Sequence, residues 1–218
     1  MIGSKEKGIE SIEDLKGKKI GVATGTSSET ILDLTLQEAG ISKDEVTLVN
    51  MDASAIVTAM ISGGVDAVAT WSPNTNTIKE EMGNDGIMLR NNADYAEEFP
   101  SIASWVVSPS YAEEHEEKLL RFTKGLYEGV NYHIKNPDDA VEWVAKQSAI
   151  DVDAVHAQTG DGDWKTSDEI SEMLKDGTIE QYYEKQQDNF IESGRLTEDD
   201  RVDVSEYVLF KNIEKAIE

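Results

Sequence analysis

No cysteine occurs in this sequence. That removes disulfides, thiolate zinc sites and a cysteine nucleophile, while leaving the redox compartment open. Long hydrophobic runs are also missing: nothing approaches the roughly 18 uninterrupted apolar residues of a membrane span. The opening Met-Ile-Gly-Ser-Lys-Glu-Lys-Gly has no apolar core of a signal peptide. Positive charge is scarce, with 20 Lys and Arg against 44 Asp and Glu, a net charge of −24. Such a surface repels phosphate backbones and anionic lipid, so nucleic acid is excluded as a partner and a small molecule is expected. The acidity is spread through the chain, with 8 basic and 17 acidic side chains in residues 1–108 and 12 and 27 in residues 109–218. It reads as a solvated surface, not as an acidic tail.

What is present is enough apolar material, 39%, for a sizeable core. Residues 1–108 alternate short β-branched runs with amphipathic stretches, the rhythm of a parallel α/β sheet. Strands are expected at 19–23, 46–50, 65–71, 86–90 and 101–107, and helices at 28–39, 54–62 and 74–82. Gly40 and the Gly63-Gly64 pair stop the first two helices. From Ser110 the rhythm turns helical, with Ser110-x-x-Glu113 as a capping box and one helix running to His133. Asn136-Pro137 opens another, and residues 178–194 and 205–217 supply two more. Two domains are therefore expected: residues 1–108, an α/β ligand-binding lobe, and residues 109–218, mainly helical.

In an open parallel sheet, ligands gather beyond the carboxyl ends of the strands. Three loops fall there: Thr24, Gly25, Thr26, Ser27 and Ser28 after the first strand, Asp52 and Ala53 after the second, and Trp71, Pro73 and Asn74 after the third. The first offers a glycine, hydroxyls and the free amides of a helix start, which suits a small anion or carboxylate. A plain helix cap is equally open at that spacing. Neither the phosphate-loop nor the dinucleotide glycine spacing is present. Trp71 can wall off a ligand or pack in the core; for Trp105, Trp143 and Trp164 core packing is expected. His115, His133 and His156 lack metal-ligand spacing, so no metal site is expected. Asp161-Gly162-Asp163 departs from a calcium loop at Lys165 and Thr166 and reads as a solvated turn. No nucleophile elbow or Ser-x-x-Lys motif occurs, and no catalytic residue and no cofactor are expected.

Two stretches carry a family resemblance. Residues 8–28 read Gly-Ile-Glu-Ser-Ile-Glu-Asp-Leu-Lys-Gly-Lys-Lys-Ile-Gly-Val-Ala-Thr-Gly-Thr-Ser-Ser, and residues 63–73 read Gly-Gly-Val-Asp-Ala-Val-Ala-Thr-Trp-Ser-Pro. Together they resemble the substrate-binding proteins of nitrate, sulfonate and taurine ABC importers, the group that includes the NMT1/THI5-like proteins. The run Asn136-Pro-Asp-Asp-Ala140 and residues 191–196 extend the similarity through the second half.

The resemblance implies a type II periplasmic-binding-protein-like α/β fold: one complete lobe, plus the helical C-terminal part of a second lobe that is incomplete here because the N-terminal part is lacking. It implies capture of a small molecule, a sulfonate, nitrate or related anion, in an interlobe cleft without chemistry. Thr24, Gly25, Thr26, Ser27, Ser28, Trp71, Pro73 and Asn74 would form one wall, with Asp52 and Ala53 beside them. The implied partner is an ABC transporter permease, and the implied location is periplasmic or extracellular, membrane-tethered in the full-length form. Self-association through the incomplete lobe is a further expectation. Alternatives are a thiamine-precursor pyrimidine binder, a synthase-like protein of the same fold, and an interaction module.

Overall fold

The computed structural model describes residues 1–218, which divide into two compact units, Met1–Tyr95 and Ala96–Glu218. The break expected near residues 108–110 lies inside the second unit, where Ser108 caps a helix.

Unit 1 is built on one sheet. Strands β1 (Ile2–Ser4), β2 (Lys19–Val22), β3 (Thr47–Asn50), β4 (Ala67–Ala69) and β5 (Gly86–Met88) lie in the order β3-β2-β4-β1-β5. Helices α1 (Ser27–Glu38), α2 (Ala53–Ile61) and α3 (Asn74–Met82) follow β2, β3 and β4. Ile20 and Val22 of β2 and all three residues of β4 are buried, as the continuous apolar runs of a covered parallel sheet require. Ile2, Ile56, Met60, Val65, Val68 and Ile78 form a shared core. Glycines at positive φ end the first two helices, Gly40 at 65° and Gly63 at 70°, a conformation that side chains with a Cβ resist.

Two strand expectations need correction. The sheet is mixed, because β2 pairs in parallel with β3 and β4 whereas β1 runs antiparallel between β4 and β5. Ile2-Gly3-Ser4 is too short to display a period, and its partners lie far along the chain, with Ile2 opposite Val68 and Met88. Residues 101–107, by contrast, form no strand despite their β-branched and aromatic content. Such residues favour a pleated surface with neighbours on it, and this segment pairs with none: Val106 is 91% exposed.

Unit 2 is helical: α4 (Pro109–Glu114), α5 (Glu116–Lys135), α6 (Pro137–Ser148), α7 (Val152–His156), α8 (Ser167–Lys175), α9 (Thr178–Glu192) and α10 (Phe210–Ile217). The single helix expected up to His133 is two, broken at His115, whose φ of −133° leaves the helical region. Ser108, not Ser110, is the cap, its hydroxyl accepting from the Tyr111 amide at 3.4 Å. Asn136 occupies the capping position of α6, yet its side chain turns back to donate to the Tyr132 carbonyl at 3.0 Å. Buried apolar side chains here are small, among them Val141, Ala145 and Val155. Core packing is also corrected for three tryptophans: Trp105, Trp143 and Trp164 are 74%, 57% and 55% exposed. Each lies against a neighbouring ring, of Phe122, Tyr132 and His133 respectively, and more than half of its surface stays exposed. No helix is long and apolar enough to cross a membrane.

Candidate functional site

The parallel register sets three loops side by side in unit 1. Val22 is opposite both Asn50 and Ala69, so β2, β3 and β4 end level with one another. Hydrogen bonds then tie the loops together. The Thr24 amide donates to Asn50 Oδ1 at 3.2 Å. Asn74 Nδ2 donates to the Ala53 carbonyl at 3.1 Å and to Thr70 Oγ1 at 3.2 Å. One asparagine thus joins the first loop to the second, and another joins the third to the second.

Within the first loop the residues divide by task. Thr26 is the N-cap of α1, its hydroxyl accepting from the Ser28 amide at 3.2 Å and donating to the Ala23 carbonyl at 2.7 Å. Ser28 is buried and donates to the same carbonyl at 3.1 Å. Both hydroxyls therefore hold the end of β2 to the start of the helix. Thr24, Gly25 and Ser27 remain exposed. Gly25 has φ 76°, which turns the chain into α1, and its amide donates at 2.7 Å to the carboxylate of Glu29 in the first helical turn.

At the third loop Trp71 is 39% exposed and Pro73 is exposed, following a cis Ser72–Pro73 peptide. The amide of Asn74 is half-buried and spent on the brace described above. Asp52 is exposed at the start of α2, its carbonyl accepting from the amides of Ala55 and Ile56. Ala53 contributes its carbonyl to the brace. What the arrangement presents is a helix start carrying a partial positive charge, hydroxyls from Thr24 and Ser27, the carboxylate of Asp52, and an aromatic ring at the end of β4. Such a set can hold a small polar molecule by hydrogen bonds and ring contact.

Three contributors were not singled out in the sequence. Asn50 closes a strand, where asparagine is disfavoured, and that misfit was the available signal. Thr26-x-x-Glu29 has capping-box spacing, which pointed to Glu29. Thr70 gave no signal beyond its place before Trp71. Elsewhere, no group of three or more His, Asp or Glu side chains gathers as a metal site would require.

Arg90, the one arginine of unit 1, does not serve these loops. Its guanidinium grips Glu38 at the far end of α1, Nε to Oε2 at 2.8 Å and Nη2 to Oε1 at 2.5 Å, and the Tyr95 hydroxyl donates to the same carboxylate at 2.6 Å. The arginine bonds foremost, then the tyrosine bond, draw the Glu38 carboxyl from its ordinary 4.5 down to about 2. A depressed carboxyl stabilises the fold above its unfolded pKa and loses that contribution as pH falls through the folded value. Unit 1 is therefore expected to lose melting temperature between about pH 4.5 and about pH 2, with the E38Q variant showing a smaller decline over the same window. The Glu38 side chain is 39% exposed, so salt should weaken the effect. Thermal unfolding of both proteins across that range, followed by circular dichroism, is the check; parallel curves would refute the assignment.

Residues 1–140 match the family described as NMT1/THI5 like. A Brucella abortus protein whose name goes no further than "binding protein" is 30% identical over 191 residues, covering 88% of this chain and 60% of its own length. The taurine-binding periplasmic protein of Escherichia coli is 31% identical over 134 residues, 61% of this chain and 41% of that one. Among solved structures, the periplasmic aliphatic sulphonate binding protein SsuA of Escherichia coli superposes with a TM-score of 0.69 at 15% identity, over 98% of this chain and 69% of that one. The desulfurization enzyme DSZB does so at 0.71 and 15%, over 99% and 74%. At such identities the likeness is one of fold, the type II periplasmic-binding-protein fold. The chain spans about three fifths of the length of the Brucella relative.

Proposed function

Because this chain belongs to the NMT1/THI5-like family, we propose that it is the solute-binding component of an ABC importer, holding one small molecule at the carboxyl edge of the unit 1 sheet without chemistry. The observation that carries this reading is the level ending of β2, β3 and β4, whose loops are tied by Asn50 and Asn74 around the exposed Thr24, Gly25, Ser27 and Trp71. A sulfonate or related anion is the proposed ligand class: the exposed Ser27 in the first turn of α1 and the exposed Thr24 before it offer hydroxyls at the positive end of the helix, and one relative is named for taurine. Handover to an ABC transporter permease, at a periplasmic or extracellular site and with membrane tethering, completes the proposal. Self-association of the chain belongs to it as well, and would appear in light scattering as a mass above the 24.1 kDa of one chain.

The same fold serves a desulfurization enzyme, so fold alone does not separate capture from catalysis. Capture is favoured by what the three loops contain, which is amides, hydroxyls, a ring and the single Asp52 carboxylate, while all three histidines lie in unit 2. A pyrimidine of the thiamine-precursor type is the second reading, favoured by the partly exposed Trp71 ring, on which a flat heterocycle can stack.

A thermal-shift series with taurine, ethanesulfonate, nitrate and an aminopyrimidine tests both. A ligand that binds only the folded state stabilises it by about 2.7 kcal/mol at a hundred times its Kd. The expected result is stabilisation by at least one sulfonate, growing with concentration. Stabilisation by the pyrimidine alone would favour the second reading, and a folded sample that responds to none of the four would count against capture by this chain.

A further inference from the structure

We infer that Glu29 is a specificity-determining residue of the proposed site, selecting ligands that carry an ammonium group beside their anionic group over ligands that are simple anions. The inference rests on the reading given under Proposed function. In a loop suited to anions, Gly25 offers an amide at the turn into α1, yet that amide already donates to Glu29 Oε2 at 2.7 Å. The geometry is a capping-box relative: Thr26 caps the helix and Glu29, three residues on, reaches back past it to the preceding amide. The protein's own carboxylate thus stands where a bound oxyanion would be expected.

The charges nearby leave the loop acidic. Lys43 Nζ lies 2.8 Å from Asp33 and 4.0 Å from Glu29, so this ammonium is shared by two carboxylates. The Glu29 side chain is 26% exposed. A simple sulfonate or nitrate placed on the first turn of α1 would meet a like charge, which opposes binding. A ligand bearing an ammonium a few atoms from its sulfonate turns that repulsion into attraction: its anionic end takes the exposed Ser27, amide and hydroxyl, and its cationic end takes Glu29. This also accounts for how a chain of net charge −24 can take a sulfonate at all.

Titration calorimetry with taurine and with ethanesulfonate, on the wild-type chain and on Glu29→Gln, is the test. The glutamine retains an oxygen to accept from the Gly25 amide, so the cap survives while the charge goes; circular dichroism establishes that the variant is folded. Wild type is expected to bind taurine at least about tenfold more tightly than ethanesulfonate. In E29Q the gap should close to within about threefold, with ethanesulfonate tightening and taurine loosening. Equal binding of the two compounds by wild type, or a shift of both by the same factor in E29Q, would reduce Glu29 to a helix cap and overturn the inference while leaving sulfonate capture intact. Absence of saturable binding of either compound to either protein would overturn capture and, with it, the role of Glu29.

Discussion

Replacing Ile2 by alanine is expected to destabilise unit 1 by about 2–5 kcal/mol, the range for truncating a fully buried aliphatic side chain. Ile2 has no exposed surface and packs in the core with Ile56, Met60, Val68 and Ile78. Its backbone is held on both sides, opposite Val68 of β4 and Met88 of β5, so β1 cannot shift to fill the space left behind. The neighbouring position shows how tightly the strand is enclosed: a Cβ built on Gly3 would lie 2.5 Å from Ile9 Cγ2. Denaturant unfolding followed by far-ultraviolet circular dichroism measures the change. A loss below about 1 kcal/mol would mean that β1 is not a central strand.

The second large effect is expected at Asn74. Its amide is the only side-chain group that donates to both the Ala53 carbonyl and Thr70 Oγ1. In N74A both acceptors lose that donor, at a cost of about 1–3 kcal/mol to unit 1. The variant should also bind taurine at least about tenfold more weakly, because the loop carrying Trp71 is no longer fastened to the one carrying Asp52. Chemical denaturation and titration calorimetry on the same preparation separate the two consequences. Affinity lost with stability unchanged would make Asn74 a direct ligand contact, and stability lost with affinity unchanged would detach the brace from the site.

Much of unit 1 was legible in the sequence because its logic is local. Each of β2, β3 and β4 is a short strand followed within a few residues by a helix, and α3 falls on Asn74–Met82 as the pattern indicates. Turn residues marked the ends, with Gly40 and Gly63 placed where positive φ is needed. The placement of candidate residues at the carboxyl edge followed from that order of elements alone. What escaped depends on partners far along the chain. β1 exists because residues near 67 and 87 flank it, and three residues cannot advertise that by periodicity. The converse error has the same cause: residues 101–107 have strand composition but meet no neighbour to pair with.

The tryptophans teach a related lesson. Residue type favours core packing for Trp105, Trp143 and Trp164, yet they lie in a helical unit whose buried side chains are mostly alanine and valine. Sequence reports what a residue can bury, whereas the fold decides what is there to cover it. At the loops, residue type was informative about chemistry but not about assignment. Thr26, Ser28 and Asn74 direct their polar groups to Ala23, Ala53 and Thr70, while Thr24, Ser27 and Trp71 stay exposed. Glu29 is the clearest case: its spacing from Thr26 marks it as a capping residue, and its bond to Gly25 shows which amide it takes.

Taurine titrated into uniformly 15N-labelled protein, with amide and indole resonances followed by heteronuclear correlation spectra, tests the central claim most directly. Capture at the carboxyl edge of the unit 1 sheet predicts saturable shifts of the Gly25 and Ser27 amides and of the Trp71 indole N–H, all fitting one dissociation constant. Saturable binding that leaves those three resonances unmoved, or no saturable change anywhere in the spectrum, would contradict it.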